Sequence, residues 1–164
     1  MPTRRSFSLS LLAAAGLTLG CNDFVQNAGN YTLQVVEVMR DDCEMLSSPE
    51  APWDASVVIT GQVVRINFAI NPELLDMQLV GRFLAGGERF MVDGTRGNAA
   101  VHVRGQDCLL DQVSVHLEGT TQCATAFDGA LRVRYESRLQ ESCACELWTR
   151  FEAVQDSATC PVVP

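Results

Sequence analysis

Four stretches of this chain place an apolar residue at every second position, and that period decides what it can fold into. In "VVRINFAI", Val64, Ile66, Phe68 and Ile70 share one phase while Arg65 and Asn67 take the other. "AAVHVR" sets Val101 and Val103 against His102 and Arg104, and "QVSVHLE" sets Val113, Val115 and Leu117 against Ser114, His116 and Glu118. "ALRVRYE" alternates Leu131, Val133 and Tyr135 with Arg132, Arg134 and Glu136. A helix would scatter such residues around its circumference, whereas a strand gathers them on one face. The pattern therefore predicts antiparallel strands with one packed face and one wetted face.

Turn chemistry punctuates these runs. Gly61 in "TGQV", the "AGGE" at 85–88 and the Asp128-Gly129 of "FDGA" are expected hairpin turns. "NPELLD" at 71–76 reads as a single helical turn capped by Asn71, and 41–54 as a long loop. The expected strands are 31–40, 55–60, 62–70, 77–84, 88–93, 98–105, 109–118, 121–126, 129–138 and 146–155. About ten short strands of this kind make an all-β domain, a single antiparallel meander closed as a barrel or stacked as a sandwich. Its short strands and glycine turns loosely resemble small lipocalin or avidin barrels, a likeness that no motif carries.

The N-terminus has a different character. Arg4 and Arg5 precede an apolar run from Phe7 to Gly20, too short to span a bilayer and lacking any acid. It reads as an export signal over residues 1–20. The ending Leu17-Thr18-Leu19-Gly20-Cys21 resembles the lipobox of bacterial lipoproteins, with Thr18 where that family prefers leucine. The resemblance implies cleavage before Cys21, lipid on that cysteine, and a membrane-anchored protein of the bacterial cell envelope facing the periplasm or exterior. "TRRSFS" also resembles the twin-arginine export motif without its usual Leu and Lys, so the general export route is expected. Residues 21–30 then serve as the lipidated cysteine and a polar tether, and 31–164 as one β domain. The resemblance ends with the signal.

Cysteine arithmetic agrees. The chain has 7 cysteines, an odd number for an exported protein. Lipid on Cys21 leaves Cys43, Cys108, Cys123, Cys143, Cys145 and Cys160 for disulfides in an oxidising compartment. Strand parity assigns each to one end of a ten-strand meander. It predicts Cys108–Cys160, with Cys43 and Cys123 each bonded to one of Cys143 and Cys145. That assignment requires 121–126 to be a strand of its own, and a Cys43–Cys108 or Cys123–Cys160 bridge would contradict it.

Composition narrows the chemistry. The net charge is −8, and removing Arg4 and Arg5 with the signal makes the mature domain more acidic. Such a chain suits neither nucleic acid nor anionic headgroups, so its contact with the membrane would run through the lipid. It contains no lysine, which excludes Schiff-base chemistry and Walker-type phosphate loops.

No zinc-type or thioredoxin CxxC, HExxH, GxSxG, GxGxxG or EF-hand pattern occurs, and "CAC" at 143–145 reads as structural. His102 and His116 would face each other if Val103 paired with Val115. Two histidines beside Glu118 fall short of a metal site, and neither metal nor cofactor is expected. Glu136, Glu141, Glu146 and Glu152 show no evident pairing. Trp53 and Trp148 are candidate stacking groups; Trp148 falls on the polar phase beside Arg150, where Leu147, Thr149 and Phe151 point inward. The resulting expectation is a non-catalytic binding or structural domain for an envelope ligand or protein. The alternatives are an envelope enzyme, such as a hydrolase with a loop-assembled site, and a carrier of small apolar ligands.

Overall fold

A computed structural model describes residues 25–46, 52–68, 77–156 and 160. The expected signal peptide, Cys21 and the helical turn at 71–76 lie outside them. Eight strands form one closed antiparallel barrel in chain order: β1 (Gly29–Asp41), β2 (Trp53–Thr60), β3 (Val63–Phe68), β4 (Gln78–Phe83), β5 (Arg89–Val103), β6 (Gln106–Cys123), β7 (Ala126–Glu136) and β8 (Cys145–Gln155). β8 pairs back onto β1, from Tyr31↔Gln155 to Asp41↔Leu147. Closure leaves no free sheet edge where the ladders are complete.

The inward phase is the one the alternation marks. Val64, Ile66, Val113, Leu117, Leu131, Val133 and Leu147 are fully buried, as are Thr149 and Phe151. At the lower end, where β1 begins, Phe127 meets Phe90, Tyr31 and Phe151 at ring-centroid distances of 5.2, 5.3 and 5.9 Å. Each such pair contributes about 0.5–1.5 kcal/mol beyond its buried area. Trp53 belongs to this core rather than to a ligand surface.

Ten expected strands become eight because two glycine-containing segments are continuous strand. Residues 88–93 and 98–105 merge into β5, and 109–118 continues through Cys123 as β6, so that 121–126 is no strand of its own. The Asp128-Gly129 pair is not a turn either: it lies within β7, and the chain reverses at Ala124-Thr125. Gly119 and Gly129 are ladder partners. A Cβ on Gly119 would enter the ring of Phe90, and one on Gly129 would strike the Glu118 carbonyl. These glycines permit close approach of neighbours rather than chain reversal. Gly61 does occupy a two-residue turn, with φ 58°.

β5 and β6 overshoot their neighbours. β4 pairs with β5 only up to Val80↔Asp93, and β7 with β6 only up to Gln112↔Glu136. Above that level, among the described residues, the hairpin of β5 and β6 pairs only with itself. Both strands change face at the same height. The inward set switches from Phe90 and Val92 to Ala99, Val101 and Val103, and from Val113 to Cys108 and Leu110. The switch lies at Asn98, with φ 52°, opposite Asp111. The hairpin thus folds inward over the upper mouth. At its tip the Arg104 guanidinium donates to the Asp42 carbonyl, and the Gln106 amide donates to Ser142 Oγ at 3.1 Å.

The disulfides are Cys43–Cys145, Cys108–Cys143 and Cys123–Cys160. The first is one of the two pairings open to Cys43. The expected Cys108–Cys160 bridge and the bond from Cys123 to Cys143 or Cys145 are not formed. With 88–93 and 98–105 merged into β5, Cys108 lies at the upper end, and without a separate strand at 121–126 Cys123 and Cys160 both lie at the lower. The histidine register also differs. The tight turn at Arg104-Gly105 pairs His102 with Asp107, and His116 pairs with Asp93, so the two histidines are apart.

Candidate functional site

The outer wall of β5–β6–β7–β8–β1 carries the densest polar arrangement, and the ladder registers line its residues up in rows. The middle row runs Asp93, His116, Arg132, Trp148 and Arg40, each the direct cross-strand partner of the next. The row above runs Thr95, Ser114, Arg134 and Glu146. The row below runs Glu118, Ala130, Arg150 and Glu37. Inward residues such as Val115, Val133 and Leu147 alternate with them, which fixes the outward direction.

Glu146 is the hub. Its carboxylate accepts from Arg40 Nη1 at 2.9 Å and from Arg132 Nε, joining β1 and β7 across β8. Its side chain is only 11% exposed, whereas the arginine side chains remain half-exposed. The hydrogen bond from Arg132 lowers the Glu146 pKa below the usual carboxylate value; burial opposes this, and the charges of Arg132 and Arg40 add to the lowering. Arg40 also pairs with Asp42, Arg134 with Glu136 at 3.4 Å, and Arg150 with Glu37 at 3.5 Å. Exposed pairs of this kind add little stability, but they fix donors and acceptors in place.

Trp148 stands in the middle of the wall, 43% exposed, as its outward phase anticipates. The Arg132 guanidinium carbon lies 6.0 Å from its ring centroid, at the outer reach of a cation–π contact. Next to it, β1 carries bulges between Val35 and Glu37 and between Val38 and Arg40. Among the described residues β1 pairs with β2 only over Gly29–Leu33, and its upper part exposes Val36, Val38 and Met39. Tryptophan, arginine and methionine at one place are the residue types enriched in recognition surfaces.

Above Trp148 the wall opens into a groove of about 590 Å³, lined among others by Arg40, Asp42, Arg134, Glu136 and Glu146. A second depression of about 250 Å³ lies beside His116 and Arg132. The His116 ring is clamped, with Nδ1 2.6 Å from Asp93 and Nε2 3.1 Å from Glu118. Burial lowers the His116 pKa, but the two carboxylates outweigh it and the net shift is upward. With both ring nitrogens facing carboxylates, the clamp favours the doubly protonated cation. Among the described residues no group of three or more His, Cys, Asp or Glu side chains is gathered as for a metal ion.

The wall brings together Trp148 and Arg150, which the alternation marks as outward, with Arg40, Arg132 and Glu146, whose partnership sequence reasoning does not find. The signal was partly present: Arg132 and Arg134 share the outward phase of one strand, and Glu146, Trp148 and Arg150 that of the next. What is missing is the register, which only the intervening turn can fix. Compared with known protein families, curated proteins and solved structures, this chain finds no match.

Proposed function

We propose that this chain is an envelope-anchored lipoprotein whose barrel is a non-catalytic binding domain, with the Trp148 wall as its binding face. The observation that carries this reading is how the chain enters the barrel. Gln26 is 4% exposed, its amide donates to Tyr31 Oη, and Asn27 N–H donates to the Ala124 carbonyl at 2.7 Å. The segment expected to be free tether is thus fastened to the lower end by Gln26, and β1 begins at Gly29. Cys21 is four residues before Val25, a reach of at most about 14 Å. Lipid on Cys21 would stand the barrel on its lower end. The groove and the folded hairpin, at the upper end, would then face away from the bilayer.

Further features support a binding role. The lower lumen is filled by aromatic rings, whereas a carrier of apolar ligands needs an empty interior. Three disulfides suit an oxidising compartment outside the cytoplasm. Two measurements test the reading. Labelled palmitate should enter the wild-type protein and be lost from Cys21→Ser; equal labelling of both would remove the anchor. Native mass spectrometry of protein extracted from its own envelope should show a retained ligand or partner that Trp148→Ala loses. A partner kept equally by both would remove Trp148 from the binding face.

A further inference from the structure

We infer that the groove above Trp148 and the exposed indole next to it together form a saccharide-binding site, in which the indole, outside the groove's own lining, receives the apolar face of a sugar ring and the charged side chains of the groove receive its hydroxyls. This rests on the reading of the barrel as a binding domain and names the ligand class for the same wall.

The groove is open and about 590 Å³, within the range of sites that take small ligands or a few linked units. Its charges nearly balance: Arg40, which contacts Asp42 and Glu146, Arg134, which contacts Glu136, and Arg138 lie among the carboxylates Asp42, Asp111, Glu136 and Glu146. A phosphate or carboxylate ligand would have to sit among Asp42, Glu136 and Glu146, and a cationic ligand among the arginines, so neither charge is favoured. A wholly apolar ligand would strip water from these ion pairs with no replacement hydrogen bonds. What remains is a neutral ligand that both donates and accepts hydrogen bonds at many points and has an apolar face for an aromatic ring. Sugar rings meet that description: their hydroxyls donate to carboxylates and accept from guanidiniums, and their C–H faces are apolar.

Trp148 supplies the platform. It lies two residues along β8 from Glu146 on the same face, directly across from Arg40, and 43% of it is exposed. Flanking strands hold it in place, so little freedom is lost on binding. The arginines that would reach the hydroxyls are held by Glu146, whose low pKa keeps it ionised through the neutral range.

The test uses the full mature lipoprotein in a detergent without a sugar headgroup, since glycosidic detergents would compete. Cello-, chito-, malto- and peptidoglycan-derived oligosaccharides are titrated while tryptophan emission is followed; the buried Trp53 gives a constant background. At least one oligosaccharide should shift the emission saturably. Isothermal calorimetry should then show affinity falling about tenfold or more in Trp148→Ala and in Arg134→Gln. Thermal midpoints near wild type establish that both variants fold. A Val58→Ser control on β2 should bind as wild type does. An oligosaccharide bound equally by wild type and Trp148→Ala would overturn the inference. So would a complete absence of response in the folded wild type. If no sugar binds but a protein partner is retained in a Trp148-dependent way, the saccharide assignment fails while the binding-domain reading stands. If nothing is retained at all, both fail.

Discussion

Replacing Cys108 and Cys143 together by alanine should release the hairpin that closes the upper mouth while leaving the barrel intact below it. The two cysteines are separated by 35 residues in sequence. In the chain-entropy description, a loop of that size restricts the unfolded state by about 4 kcal/mol at 25 °C. The route through Cys43–Cys145 is longer, but the one through Cys123–Cys160 is about as short as the chain itself and shortens the effective loop, which trims the figure by only a few tenths of a kcal/mol because it varies as the logarithm of loop length. In the folded state the tip keeps its contacts from Arg104 to Asp42 and from Gln106 to Ser142. It also keeps Val101, Val103 and Leu110 buried at 4% exposure or less. Each such side chain contributes about 1.5–3 kcal/mol on burial, before the cost of ordering the hairpin is subtracted. The hairpin should therefore stay mostly docked but open far more often.

A matched control separates the global effect from the local one. Cys123 and Cys160 are 37 residues apart, nearly the same loop, but their bridge lies at the lower end. Urea denaturation should show both double alanine variants losing about 4 kcal/mol. Hydrogen exchange should separate them. In Cys108→Ala/Cys143→Ala, amides of residues 99–110 should lose more protection than those of 113–117 and 131–133. In Cys123→Ala/Cys160→Ala the fall should be uniform. A loss below about 1 kcal/mol in the first variant, or the same exchange pattern in both, would refute the pinned hairpin.

Gly129→Ala should destabilise by about 3 kcal/mol, because its Cβ would meet backbone rather than a movable side chain. Gly61→Ala, in open space at φ 58°, should cost about 1 kcal/mol; equal denaturation midpoints for the two would contradict the close approach of β6 and β7. NMR titration should place the His116 midpoint above 6.5, and Asp93→Asn should lower it. Asp93 on β5, Glu118 beside it on β6 and Arg132 opposite it on β7 all face this ring, and only the two carboxylates raise it. The clamp's contribution to stability is full below the unfolded value of 6.5 and is lost as pH rises through the folded value. A midpoint at or below 6.5 would mean that burial outweighs the carboxylates.

Which face each strand shows to the core was legible from alternation alone. Val113, Leu117, Leu131, Val133, Leu147 and Phe151 are all buried, and Trp148 is outward. Register was not legible. His102 faces His116 only in a register that needs a longer connection between their strands. The Arg104-Gly105 turn, with φ of 50° and 75°, shifts the pairing so that each histidine meets an aspartate instead. The same limit hid the Glu146 hub. Arg40 and Arg132 are far apart in sequence, and they meet on Glu146 only because β1 and β7 both pair with β8.

The disulfide pattern isolates the step at which sequence reasoning failed. Parity requires only that successive strands reverse, and with eight strands it works. If β1 rises, Cys43, Cys108, Cys143 and Cys145 lie at the upper end and Cys123 and Cys160 at the lower. The lower end then allows one bridge, which is the one formed. At the upper end Cys43 follows β1 and Cys145 opens β8, and these strands pair through Asp41↔Leu147, so their bridge leaves Cys108 for Cys143. The error therefore lies in taking glycines for turns. Gly94 and Gly97 lie inside β5, and Gly119 inside β6, where Phe90 occupies the space its side chain would need. In a narrow barrel, an inward position opposite a large aromatic ring has no room for a Cβ, so glycine there marks crowding rather than reversal. A turn glycine and a crowded one look alike in sequence until the partner strand is known, and the cysteines supply that missing information: a Cys123–Cys160 bridge can form only if the chain between 109 and 123 does not turn back.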